Sequence, residues 1–530
     1  MTGIHDWTLP YASRRSPVLG RQVVSTSQPL AAQAGLRMLL AGGNAVDAAL
    51  AAAMALTVVE PSGCGIGSDA FAIVWDGQAL HGLNASGRAP AGWTPDYFAR
   101  LGGLPDKGWN AVTVPGAVSG WIALWRRFGR LPLAQLAQPA IDYARHGFPV
   151  SPTIATLWTL GAERLGTQPG FAECFLPDGR PPRAGELFRS EAHAGTLEDI
   201  VATEGESFYR GALAARMAAH ARACGGAMTE DDLGAHQADW VGTLSQRFGD
   251  SVVHEIPPNG QGIAALMALG MLDELGIGDA PVDSADSLHL QIEAMKLALA
   301  DVHHYNADID HMALAPGRLL EREYLRERAA LIDRQRAGAP VYGTPRRGGT
   351  VYLAAADAQG MMVSFIQSNY MGFGSGVVVP GTGISLQNRG AGFTLAKGHP
   401  NEVAGGKRPY HTIIPGFVTR DGAPLAAFGV MGGPIQPPGH VQTLVRLVDY
   451  GMNPQAALDA PRWKVAPNGD VDLEPTASAS LRDELKAMGH RVEEAPDSYM
   501  DFGAGQFIVK TEGGYVAASD WRRDGQAAGF

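Results

Sequence analysis

Three features of the chain predict a layered α/β architecture. Two β-rich runs flank a short turn within 350–368 and read as an antiparallel hairpin. Short strands and glycine-rich turns fill the segment that follows, at Gly372-Phe373-Gly374-Ser375-Gly376, Pro380-Gly381-Thr382-Gly383 and Met431-Gly432-Gly433. Long helical patterns flank these strand-rich pieces, as expected where helices cover sheets.

The elements follow in order. Gln28 to Val59 reads as two helices broken at Gly42-Gly43. The second, Asn44 to Val59, is Ala-rich and apolar nearly all round, which predicts burial in the core. Pro61 to Asp69 is a glycine-rich loop. It lacks the third glycine of a dinucleotide fingerprint and follows a helix rather than a strand, so a nucleotide loop is rejected. Phe71 to Trp75 reads as a core strand. Asp283 to His304 is the clearest helix, with Leu288, Ile292, Met295 and Leu299 on one face. His303-His304 at its end, with His311 and several aspartates, raise the question of a metal site. Adjacent histidines leave a helix on different sides, and there is no His-x-x-x-His pair, so a solvated helix end is expected instead. From Gly343 to Gly349 the composition shifts to Gly, Pro and Arg, which reads as an exposed linker. The chain has no internal repeat and no low-complexity segment.

Composition excludes several classes. A length of 530 residues allows two to four domains, and an apolar content of 45% supplies a large core. The net charge of −11 and the lack of a dense basic run argue against nucleic acid as a partner. Cys64, Cys174 and Cys224 are odd in number and far apart, so neither a disulfide framework nor a cysteine zinc site fits. Met1 to Gly20 has no apolar core of signal-peptide type, and no hydrophobic stretch follows Arg14-Arg15. The longest apolar run, Ala48 to Val59, is too short to cross a bilayer. A cytoplasmic protein without a membrane partner is expected.

The hairpin carries the chemistry. Thr350 heads the run Val351-Tyr352-Leu353-Ala354-Ala355-Ala356, Asp357-Ala358-Gln359-Gly360 reads as the turn, and Met361 to Ser368 returns. A pairing centred on Gln359 sets Ser368 opposite Thr350, so two hydroxyls meet at the open end beside Gly348-Gly349. Cleavage at Gly349-Thr350 would make Thr350 a nucleophile carrying its own base, the new α-amino group. Taken alone, Gly-Gly-Thr is more often an ordinary turn entering a strand.

Further residues give the hairpin a context. Gly42-Gly43-Asn44-Ala45-Val46-Asp47-Ala48-Ala49, Val59-Glu60-Pro61 through Gly67, and Val114-Pro115-Gly116 occur in order. Leu131-Pro132 through Gly147-Phe148-Pro149-Val150, Phe208-Tyr209-Arg210-Gly211, Lys407-Arg408-Pro409 and Ala518-Ser519-Asp520 through Asp524-Gly525 follow. On these segments the chain resembles the γ-glutamyltranspeptidase family of N-terminal nucleophile hydrolases over nearly its whole length. The resemblance implies a four-layer αββα sandwich and a precursor that cuts itself before the nucleophilic threonine. It assigns 1–349 to a large segment and 350–530 to a small one, held together as a heterodimer and forming one structural domain. Thr350 is similar to the family's nucleophile, and Ser368 falls where a second hydroxyl hydrogen-bonds it. Gly432-Gly433 resembles the oxyanion-hole pair, whose backbone N–H groups would meet developing negative charge without reorganisation. Outside that context the same pair is a plain tight turn.

Departures from the family bear on substrate. In the run Gln387-Asn388-Arg389-Gly390-Ala391-Gly392, Gly392 replaces the acid that holds a donor's α-amino group, and Arg389 replaces a glutamine. The family's Ser-Ser pair becomes His411-Thr412, and its Asn after the second hydroxyl becomes Tyr370. The carboxylate-binding arginine is out of register, with Arg88 two positions later. Arg88 and Arg389 could each hold a carboxylate bidentately, while nothing evident remains for a cationic amine. Arg389 could equally form a structural ion pair with a nearby acid. The expected small-molecule substrate is an amide whose acyl half carries a carboxylate, as for the cephalosporin (glutaryl) acylases and oxamate amidohydrolases that this chain resembles. The alternatives are a true γ-glutamyltransferase or glutathione hydrolase, and an unprocessed homologue that binds a carboxylate ligand without catalysis. The acyl-threonine mechanism requires neither metal nor cofactor.

Overall fold

The computed structural model describes residues 14–338, 349–466, 468–495 and 501–530. Two seven-stranded sheets form its centre. The first runs in the order Gln526–Gly529, Val23–Thr26, Gly349–Ala356, Met362–Tyr370, Asp69–Trp75, Leu80–Ala85 and Asp239–Trp240. The second runs Val18–Gly20, Gly514–Ser519, Ala504–Thr511, Ala423–Met431, Gly416–Arg420, Ser251–Glu255 and Leu244–Phe248. All pairings in both sheets are antiparallel.

Alternation along the strands builds three apolar layers. Val351, Leu353 and Ala355 face one hydrophobic cluster together with the Ala45–Val59 helix. Tyr352, Ala354 and Ala356 face another, with Phe417, Ala427 and Ile508 of the second sheet. This period of two is what a strand buried on both faces requires. The far side of the second sheet packs Val253, Phe428 and Phe507 against the helices Gly262–Leu275, Ala285–Tyr305 and Gln436–Val448. The outcome is the expected αββα sandwich.

The predicted break at Gly42-Gly43 separates helices Pro29–Leu40 and Ala45–Val59. Every residue of the second is buried, as its composition predicts. Asn44 accepts from the Asp47 N–H at 3.0 Å, and Asp47 accepts from the Asn44 N–H at 2.9 Å, a reciprocal cap on the helix start. The hairpin turn docks on the same helix end: Asp357 takes the Ala45 N–H at 3.0 Å and the N–H groups of Gln359 and Met361. One aspartate thus fixes both the turn and its distance from the core helix.

The Asp283–His304 pattern becomes the helix Ala285–Tyr305, with Leu288, Ile292, Met295 and Leu299 buried. Its end differs from expectation: His304 is exposed, but His303 is half-buried and lines a cavity. The two side chains do diverge, and tertiary packing covers one of them. Of the predicted linker, 343–348 lie outside the described residues. Among the described residues no helix is long and apolar enough to cross a membrane.

Candidate active site

The hairpin ladder runs from Val351 opposite Gln367 to Ala356 opposite Met362, the pairing centred on Gln359. At its open end the register shifts, and Gly349 pairs with Tyr370. Such a bulge lifts Thr350 out of the regular ladder. The Thr350 and Ser368 hydroxyls stand 3.2 Å apart, and Thr350 is only 4% exposed. Ser368 Oγ also accepts the Tyr370 N–H at 2.8 Å.

Glycines of the 61–67 loop bring it against this end of the hairpin. A Cβ on Gly63 would stand 2.7 Å from Val351 Cγ1 and 3.2 Å from the Thr350 carbonyl oxygen. The Asn369 N–H donates to the Gly63 carbonyl at 3.1 Å. These glycines serve close approach of one backbone to another.

Tyr370 has a left-handed backbone, φ 78°, which costs a non-glycine residue about 1–3 kcal/mol. Its ring lies under the Arg389 guanidinium, 4.3 Å from carbon to centroid. Arg389 is fully buried and donates from Nη1 to Thr412 Oγ1 at 2.7 Å. Its Nε and Nη2 have no hydrogen-bond partner, and it makes no ion pair among the described residues. Burial pulls its pKa down to about 10, so the group stays cationic at neutral pH. Thr412 and Tyr370 both line a cavity of about 430 Å³, with Gln261, His303, Gly392, Tyr410 and Pro434 among its other walls. Among the described residues no aspartate or glutamate lines it. A Cβ on Gly392 would come 2.5 Å from the Tyr410 carbonyl oxygen, so this wall has no room for an acidic side chain.

Gly432 and Gly433 follow the strand Ala423–Met431 and open a short 3₁₀ turn. Their φ values, 126° and 70°, suit glycine alone, and the next residue, Pro434, reaches the cavity. The Gly433 carbonyl accepts from Gln261 Nε2 at 3.0 Å, and the same nitrogen donates to the Thr412 carbonyl at 2.6 Å. Gln261 therefore ties the glycine turn to the Arg389 partner, a connection with no signal in the sequence.

Three expected substrate residues are not among the cavity's walls: Arg389, which stands behind Tyr370 and Thr412, and Arg88 and His411. Arg88 is drawn to Asp308 at 3.2 Å and Asp239 at 3.9 Å, its side chain 40% exposed, and does not line the cavity. His411 is buried behind the cavity, with Nε2 3.1 Å from Asp69 Oδ2. Burial, then the charges of Arg389 and Arg408, hold its imidazole well below the usual range and therefore neutral. Asp69 stands opposite Ser368 in the sheet, and burial raises its carboxyl to about 7 against the opposing pull of Arg389.

One group outside the cavity has metal-ligand character. His289, Glu293 and His490 converge, all buried. The Lys296 ammonium sits among them, 2.8 Å from Glu293 Oε1 and 3.5 Å from His490 Nδ1, and supplies the cation this cluster needs. His303-His304 and His311 do not join it.

The profile of the family described as gamma-glutamyltranspeptidase matches residues 31–530. The chain is similar to the glutathione hydrolase-like YwrD proenzyme of Bacillus subtilis, 35% identical over 97% of this chain and 100% of that one. It is 36% identical to the oxamate amidohydrolase proenzyme of Klebsiella pneumoniae, over 94% of this chain and 97% of the relative. The crystal structure of cephalosporin acylase from Bacillus halodurans superposes with a TM-score of 0.95 at 47% identity, covering 100% of this chain and 99% of that one. Matched from Leu30's neighbour Ala31 to its last residue, and alike in fold from end to end, the chain belongs to the gamma-glutamyltranspeptidase family.

Proposed function

We propose that the chain is an amide hydrolase of this family that cuts itself at Gly349-Thr350 and then cleaves amides with a carboxylate on the acyl half. In the precursor the Thr350 hydroxyl attacks the Gly349 carbonyl carbon. The peptide nitrogen leaves as the new α-amino group, and water hydrolyses the resulting ester. The segments 1–349 and 350–530 then remain together as two chains of one folded unit. In the mature enzyme the α-amino group, pKa roughly 7.7–8.0 when unperturbed, takes the proton of the attacking hydroxyl. Ser368 orients that hydroxyl, and the Gly432-Gly433 N–H groups receive the oxyanion. Water finally releases the acid.

The observation that carries the substrate reading is Arg389: a buried, charged guanidinium with two nitrogens that have no hydrogen-bond partner among the described residues, in contact with two residues of a cavity that no described aspartate or glutamate lines. A buried charge without a partner is costly, and a bidentate carboxylate is the ligand that relieves it. The name of the oxamate amidohydrolase relative agrees with this reading, since oxamate is an amide whose acyl half bears a carboxylate. The B. subtilis relative's name favours glutathione as a second reading, but among the described residues no wall residue offers an anion to an α-ammonium group. A donor panel of glutaryl, oxamyl and γ-glutamyl amides, run on protein whose mass shows two chains, tests the choice. Higher kcat/KM for the des-amino donors is expected. Preference for the γ-glutamyl donor would make the chain a γ-glutamyl hydrolase or transferase.

A further inference from the structure

We propose that Asp69 and His411 form a buried proton acceptor coupled to Arg389, so that a carboxylate ligand enters the site together with one proton. This rests on the reading of Arg389 as the carboxylate anchor. Neither Asp69 nor His411 lines the cavity, and both are fully buried. Asp69 Oδ1 accepts from the Gly87 N–H at 3.1 Å and the Gly116 N–H at 3.2 Å. Its Oδ2 faces His411 Nε2 at 3.1 Å, and the imidazole is set edge-on to Phe71. The next residue after His411 is Thr412, which accepts the Arg389 Nη1 bond. The pair therefore sits one residue away from the anchor's only side-chain hydrogen-bond partner among the described residues.

The charges around it decide what a ligand does. Arg389, Arg408 and the Tyr209 hydroxyl act on Asp69, and Arg389 and Arg408 act on His411. Arg408 already has Asp239 at 2.8 Å, whereas Arg389 has no ion pair among the described residues. Without a ligand, Asp69 is the carboxylate whose charge acts on Arg389. A ligand carboxylate on Arg389 leaves two anions sharing one cation in a medium of low dielectric, which disfavours ionisation of both. The one that burial has already brought to about 7 is Asp69.

With Asp69 ionised, His411 Nε2–H donates to Oδ2, and Nδ1 accepts the Ile413 N–H at 3.4 Å, the longest contact of the group. On ligand binding a solvent proton adds at His411 Nδ1 and the Nε2 proton passes to Asp69 Oδ2. The products are a neutral imidazole and a neutral carboxyl, and only the long Ile413 bond is given up.

Calorimetric titration of the purified full-length protein with glutarate near pH 7, in buffers of different ionisation heat, reads the proton directly. Uptake of roughly half a proton per glutarate is expected there, because linkage at a pH near the acceptor's own pKa leaves about half the sites still to fill. Asp69→Asn should still bind glutarate but take up none. His303 and His399 also line the cavity, and uptake should persist in His303→Gln and His399→Gln. Glutarate affinity that does not depend on Arg389, tested with Arg389→Met, overturns the anchor reading and this inference together. Affinity that depends on Arg389 but shows no buffer dependence in the unsubstituted protein overturns this inference alone, whether or not Asp69→Asn folds. Uptake that is lost in either histidine variant, or that survives in Asp69→Asn, also refutes it.

Discussion

Arg389→Met tests the substrate reading through two effects of opposite sign. Arg389 is fully buried, with one hydrogen bond to Thr412 and two nitrogens unpartnered. Removing a buried charge that has no ion pair among the described residues relieves a desolvation penalty of several kcal/mol, opposed in part by its lost attraction to Asp69. Losing the Thr412 bond costs about 1 kcal/mol, so the burial effect wins and the melting temperature should rise. A donor's carboxylate, in turn, loses charged hydrogen bonds worth ~1.5–3 kcal/mol each, roughly 10- to 150-fold in affinity per bond. The measurements are a thermal melt and kcat/KM for a glutaryl anilide, with self-cleavage followed on a gel as a control for folding. Higher stability, intact cleavage and a KM raised at least roughly tenfold are expected from one lost charged bond. A variant that melts earlier yet hydrolyses the glutaryl donor normally would make Arg389 a structural residue and refute the reasoning.

Four further outcomes follow from the same geometry. Thr350→Ala should remain one chain by mass, and cleavage at the same bond in that variant would exclude Thr350 as the agent. Ser368→Ala removes the hydroxyl 3.2 Å from Thr350 and should slow turnover of processed enzyme by roughly 10- to 1000-fold; unchanged kinetics would remove Ser368 from the site. Gly392→Asp should lose about 1–3 kcal/mol of stability by overpacking against the Tyr410 carbonyl. It should not gain γ-glutamyl preference, which kcat/KM for matched donors checks. Burial lowers His236 from 6.5 to about 3, so the folded state holds it neutral while the unfolded chain protonates it. Its contribution is complete above pH 6.5 and is lost as the pH falls toward about 3. The melting temperature of His236→Gln should therefore vary less with pH over that window, and an unchanged profile would count against the shift.

Local pattern determined a great deal. The break at Gly42-Gly43, the wholly buried Ala45–Val59 helix and the hairpin register centred on Gln359 all follow from composition and period, because each depends on neighbours in sequence. The approach of Thr350 to Ser368 belongs with them, since a hairpin turn fixes what stands opposite what. The fate of charged side chains was not legible in this way. Arg88 and Arg389 look alike as candidate anchors, yet Asp308 and Asp239 capture one, while among the described residues no acid comes within ion-pair distance of the other. Those acids lie hundreds of residues from Arg88 or on separate elements, and only packing of the layers brings them near or keeps them away. The same holds for His303 at the cavity wall, for Gln261 bridging Thr412 and Gly433, and for Asp69 behind His411. The sequence alone determines which segments become strands and helices and where two hydroxyls meet. Tertiary structure decides which buried charge is left without an ion pair, because electrostatic pairing depends on distance through space and not along the chain.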